Sequence, residues 1–177
     1  MNWPAEILSF WFQELDPKDW WAKSDATDDL IRERFLELWE EQKSKTADDF
    51  LTSPETALAA VILFDQFPRN MFRDSADAYS TDHLAQQIAE KAVDLELDAQ
   101  LPEDQRAFLY MPFMHAEDIQ MQNRSVTLFT KLGSNQKFAN EHRDVIAKFD
   151  RFPHRNKILG RQTRAEEQAA IDAGASW

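Results

Sequence analysis

A chain of 177 residues, 43% of them hydrophobic and 12% aromatic, is long enough to bury a core and too apolar for disorder. Its formal charge of −12 disfavours broad contact with nucleic acid or anionic membranes. With no cysteine, disulfides, thiolate nucleophiles and Cys-containing zinc sites drop out together.

One all-helical domain over residues 1–177 is expected, because period-3.6 patterning dominates and about eight helices can be read in order. The first covers about residues 4–13, with Ile7, Leu8, Phe10 and Trp11 apolar, and a loop carrying Pro17 and Trp20-Trp21 follows. The second spans 25–42, with Leu30, Ile31, Phe35, Leu38 and Trp39 on one face. Ser53-Pro54 sets a cap residue before a proline at the first helical position. The helix it opens runs to about Gln66 and is apolar nearly all round, so it should be central. A fourth covers roughly 81–97, with Leu84, Ile88, Ala92 and Leu95 inward. Pro102 opens the fifth, which Pro112 should kink or end. A sixth covers about 116–132. Asn135 is placed to cap the seventh, whose apolar face is Phe138, Val145, Ile146, Phe149 and Phe152. Thr163-Arg164-Ala165-Glu166 has the form of a capping box opening the last. Short connections predict antiparallel neighbours, that is, stacked helical hairpins.

One motif occurs twice. Phe64-Asp65-Gln66-Phe67-Pro68-Arg69-Asn70 returns as Phe149-Asp150-Arg151-Phe152-Pro153-His154-Arg155-Asn156, with a histidine inserted before the Arg-Asn pair. Each copy follows an apolar helical run and reads as a helix end stopped by proline. Asp65 sits in a last helical turn, where a carboxylate is unfavourable unless a cation answers it. Arg69 and Arg73 are near enough in sequence. Either Asp65–Arg69 is a structural clasp with Asn70 as a cap, or Arg69 and Asn70 point into a pocket.

The second copy lies in a basic island. Residues 143–164 carry seven Lys/Arg against Asp144 and Asp150. An island of that size in an acidic protein suits a small anion better than a polyanion, unless its cations pair with acids elsewhere. Guanidinium forks match carboxylate or phosphate bidentately. Arg155 and Arg161, with Arg151 one turn back, have the spacing of such a clamp. Between the copies, His115 falls at a proline-disturbed junction and Glu117-Asp118 opens the next helix. His115 with Glu117, or His154 with Asp65, would form acid–base pairs if they meet. His142, on an apolar stripe, reads as a hydrogen-bonded core residue. The tryptophans at 3, 11, 20, 21 and 39 read as packing.

Phe10-Trp11-Phe12, Asp65-Gln66-Phe67-Pro68-Arg69-Asn70, Tyr110-Met111-Pro112, His115-x-Glu117-Asp118 and Phe152-Pro153-His154-Arg155-Asn156-x-x-Leu159-Gly160-Arg161 together resemble the bacterial "domain of unknown function 924" family over nearly the whole chain. The resemblance implies a fold similar to the tetratricopeptide-repeat-like helical superfamily and brings no catalytic assignment. Asp65, Arg69, Asn70, His115, Glu117, His154, Arg155, Asn156, Gly160 and Arg161 match the family pattern. Ala116 stands where relatives typically carry serine, and Asp150 where they usually have glycine.

The leading expectation is a site for a small carboxylated or phosphorylated ligand, between the two corners and the 115–117 junction. Arg69, Arg155 and Arg161 would hold charge beside Asp65, and Asn70 and Asn156 would orient the ligand. His115, Glu117 and His154 would handle protons if a reaction occurs. The alternative is an interaction scaffold for a peptide or partner protein, its polar cluster structural. A weaker third is a metal-dependent hydrolase with ligands among Asp65, His115, Glu117, His142 and His154. No spacing demands a metal, so no metal or cofactor is assigned. No signal-peptide pattern is visible, and the longest apolar run, Ala57 to Phe64, is far short of a membrane span. A soluble cytoplasmic protein is expected.

Overall fold

Ser24 and Ser53 start two of the helices by the same device, a hydroxyl accepting the backbone N–H three residues on, at 3.2 and 3.1 Å. Ser53→Ala is expected to cost about 1 kcal/mol, lowering the thermal midpoint by about 2–4 °C. Melting followed by circular dichroism reads this, and an unchanged midpoint would show the cap to be idle.

The structure, a computed structural model, describes residues 2–175. Its helices are α1 (Trp3–Ser9), α2 (Asp25–Gln42), α3 (Pro54–Val61), α4 (Phe67–Met71), α5 (Asp82–Asp94), α6 (Glu103–His115), α7 (Ile119–Leu132), α8 (Gln136–Phe149) and α9 (Ala165–Asp172). Single π turns extend α1 through Phe10–Glu14 and join α3 to α4 through Ile62–Gln66. Counting α3 to α4 as one continuous unit leaves eight helical units, and no strand, among the described residues. Three-residue connections join α6 to α7 and α7 to α8. Links that short make packed neighbours antiparallel hairpins.

α3 is central, as its all-round apolarity predicts. Every residue from Ala57 to Phe64 is fully buried. α1, α5 and α6 all pack on it. An aromatic layer lies beside it. Phe67 stacks on Phe35 at 4.7 Å between centroids and meets Trp11 at 5.7 Å.

The first Phe-Pro corner is not a helix end. The helix passes through Pro68 to Met71, and the π turn explains why. Pro68 has no N–H to offer the Phe64 carbonyl. That carbonyl accepts instead from the Thr81 hydroxyl at 2.7 Å. The next one, of Asp65, accepts from Arg69. Two carbonyls freed by the proline and the π turn are thus taken up by named side chains, as buried acceptors require.

The second corner does end a helix. Asp150 stops α8 in the left-handed region at φ 58°. Glycine adopts that conformation without a Cβ penalty, which accounts for a glycine preference at this position. The two copies share residues and differ in backbone.

Other expectations also shift. Pro112 lies inside α6, which continues to His115. Leu95 falls past the end of α5 and is exposed, and Leu30 is exposed although Ile31 is buried. Asn135 precedes α8 with no capping bond from its side chain. The last capping box is displaced by one residue, since Glu167 rather than Glu166 accepts the Arg164 N–H, at 2.8 Å.

Candidate functional site

The π turn carries Asp65, and π turns recur at functional sites. Its carboxylate is 1% exposed. His115, the last residue of α6, brings Nδ1 to 2.9 Å from both Asp65 oxygens. An ionised carboxylate only accepts, so Nδ1 carries a proton, which in the neutral imidazole leaves the lone pair on Nε2. Gln66 donates to Asp65 from the other side at 2.5 Å. Burial works to raise the Asp65 carboxyl, but Arg69 and His115 together hold it below the usual carboxylate range.

Arg69, one turn on, joins this pair to a second carboxylate. It lies 3.3 Å from Asp65 and donates to both oxygens of Asp82 at 3.0 Å. Asp82 opens α5, where the helix N-terminus favours negative charge. Burial pushes Asp82 up all the same, Arg69 opposes the rise, and the Asp65 charge adds to it.

Arg155 completes the row. It is 6% exposed, its guanidinium carbon lying 4.6 Å from the Tyr79 ring and 4.5 Å from the Phe152 ring. Its nearest carboxylate oxygen, on Asp82, is 3.6 Å away and already serves Arg69. Its Nε has no hydrogen-bond partner among the described residues. Burial and the like charge of Arg69 both lower its pKa. The groups run His115, Asp65, Arg69, Asp82, Arg155; from Asp65 onward they alternate in sign and end on an under-paired cation.

A cavity of about 770 Å³ opens on this row. Arg69, Asn70, His115, His154 and Arg155 line it, together with Arg73 and Lys23. Its apolar walls are Trp20, Trp21, Met111, Met114, Phe138 and Ile158. The Trp20 indole donates to the Trp11 carbonyl at 2.8 Å, which pins the loop that forms one wall. Trp21 and Phe138, read from the sequence as packing residues, are 64% and 48% exposed. His142 also borders the cavity. Its Nδ1–H donates to the Phe138 carbonyl at 2.8 Å, and burial with nearby His115 pushes it down to about 3. His154 is held to about 4 by burial and Arg155, and it forms a backbone hydrogen bond with Ala175.

Three expected site residues face elsewhere. Glu117 takes both arms of Arg161, at 2.9 and 2.7 Å, and the Phe152 N–H at 2.7 Å. Burial would raise it, but Arg161 and that N–H hold it low. It does not pair with His115. Asn156 is fully buried and donates to Glu167 at 3.2 Å. Arg151 also binds Glu167, at 2.8 and 2.9 Å. The clamp expected from Arg151, Arg155 and Arg161 is thus divided among three carboxylates, and Arg151 and Arg164 tie the C-terminal segments together through Glu167. Asn70 reaches the cavity wall, yet its amide donates to Asp28 at 2.8 Å. Arg73 does not answer Asp65 but grips Asp28, twice at 2.7 Å.

Asp82 and Tyr79 carry no sequence signal of their own. Asp82 looks like any acid in a first helical turn. No cluster of three or more His, Asp or Glu side chains is arranged to hold a metal ion among the described residues. No helix there is long and apolar enough to cross a membrane.

These features define an all-helical protein with a half-apolar cavity whose floor is a buried row of alternating charges. A family model for bacterial proteins of unknown function (DUF924) matches residues 7–175, and the chain belongs to that family. A solved protein of unknown function from Agrobacterium tumefaciens is 41% identical over 97% of both chains, with a TM-score of 0.91. A comparison with curated proteins finds no match.

Proposed function

We propose that the cavity binds a small molecule carrying one carboxylate or phosphate on an apolar body. The observation that carries this is Arg155. A guanidinium 6% exposed, with an unpartnered Nε–H and a shared, distant counter-ion, is costly unless an anion completes it. Arg69 is already engaged by Asp65 and Asp82, so the floor has room to pair one anionic group, at Arg155. Trp20, Trp21, Met111 and Phe138 supply the surface for the apolar part. A tetratricopeptide-like interaction scaffold would leave such a cluster mutually satisfied, and the open valence of Arg155 favours the ligand instead. We take the cytoplasm as its setting, in keeping with the lack of cysteine.

Thermal-shift and tryptophan-fluorescence titrations with benzoate, glutarate and phenyl phosphate test this. Each readout should respond to at least one of these anions. Arg155→Met keeps the bulk against Tyr79 and Phe152, and should weaken that anion by about 10–100-fold. Wild-type protein indifferent to all three, or a variant that binds as well, would defeat the reading.

A further inference from the structure

We propose that the cavity is a hydrolytic site in which His115 acts as general base on water, cleaving an ester whose acyl part carries a carboxylate. The proposal rests on the anion-binding reading above and adds a reaction to it. The cavity wall contains a histidine whose orientation is fully determined. Nδ1 is held 2.9 Å from both oxygens of a carboxylate that is itself buried and bonded to Arg69 and Gln66. The nitrogen left for the cavity is Nε2, which holds the lone pair when the imidazole is neutral and makes no hydrogen bond with the described residues. A histidine that only filled space would not need a buried acid holding its ring in one orientation. Asp65 is the positioning residue here and His115 the catalytic one.

Arg155, linked to His115 through Asp65, Arg69 and Asp82, holds the substrate carboxylate on the same floor. The leaving group lies along Trp20, Trp21 and Phe138. In the reaction, His115 Nε2 takes a proton from water while the water oxygen bonds to the ester carbonyl carbon. Collapse of the tetrahedral adduct breaks the carbon–oxygen bond to the leaving group, and the proton on His115 passes to the departing oxygen. One water is consumed, and one acid and one alcohol are released, with no other reactant. Charged and titratable groups facing His115 are Asp65, Arg69, His142, His154 and Arg155.

Mono-4-nitrophenyl glutarate is the probe. Wild-type protein should release nitrophenolate above the buffer rate, with kcat/KM rising to a plateau as a single base loses its proton. His115→Gln should lower kcat by about 100-fold or more while retaining the wild-type circular dichroism spectrum and glutarate-induced stabilisation. His83→Gln, an exposed histidine away from the cavity, should leave the rate unchanged. No release by wild type, or release unaffected by His115→Gln, would overturn the proposal. If glutarate still stabilises the protein in that event, the binding reading stands and only the reaction falls. If glutarate, benzoate and phenyl phosphate all fail as well, both fall.

Discussion

Asp65→Ala is expected to destabilise the protein by about 3–5 kcal/mol, the range for removing one partner of a buried ion pair. At this chain length that is a fall of about 6–20 °C in thermal midpoint. The carboxylate is 1% exposed and receives His115, Gln66 and Arg69. None of the three finds a replacement acceptor in an alanine. Arg69 retains Asp82, so its charge is not wholly orphaned. His115 and Gln66 each leave a donor facing the void. Asp65→Asn should cost less, since the amide oxygen still accepts and the volume is kept. It removes the charge that answers Arg69, however, so it should remain less stable than wild type. Urea unfolding of the three proteins orders them. An alanine variant as stable as wild type would mean that the row of alternating charges contributes nothing to folding.

A cation beside Asp65 was expected for a reason the structure removes: the helix runs on to Met71, so Asp65 is not at a helix end, and it is burial that calls for the cation. Arg69 answers it from one turn away. The partner on the other side, His115, lies fifty positions on, and no local pattern announces it. Glu117 seemed the natural partner of His115 from two residues away. The junction between α6 and α7 turns the two side chains apart, and Arg161 claims Glu117. The basic island misled for the same reason. Arg151, Arg155 and Arg161 are neighbours in sequence, yet an αL stop at Asp150 and the turn at Pro153–Arg155 send them to Glu167, Asp82 and Glu117. A helix start was readable at Ser53, where a cap residue and a proline stand together, but not at Asp118, which caps α7 although the sequence places that start near residue 116. Pro68 was misread as a stop because a proline shows its missing donor but not the π turn that accommodates it.

Acid should weaken the fold well before the carboxylates titrate. His142 and His154 are held to about 3 and about 4, against 6.5 for a histidine in the unfolded chain. As pH falls below 6.5, the unfolded chain takes up protons that the native state refuses. The unfolded state binds more protons there, so stability falls as pH falls. Each histidine contributes a slope of about 1.4 kcal/mol per pH unit over that window, so the two together remove about 3–4 kcal/mol between pH 7 and pH 5. The raised Asp82 acts in the opposite sense, because it gains its proton sooner in the native state and offsets part of the loss. Asp28 and Glu117, both lowered, extend the loss to more acid pH. Urea midpoints at pH 8, 6.5 and 5 should therefore fall slightly between the first two, as the unfolded histidines begin to protonate, and sharply to the third. His142→Leu keeps an apolar group on the same helix face and removes one titration. It should reduce the pH 6.5-to-5 drop by about half. A wild-type midpoint at pH 5 equal to that at pH 8 would show that both imidazoles reach solvent and protonate freely in the native state. The floor of the cavity would then be wetter, and its anion affinity weaker, than the buried row of charges requires.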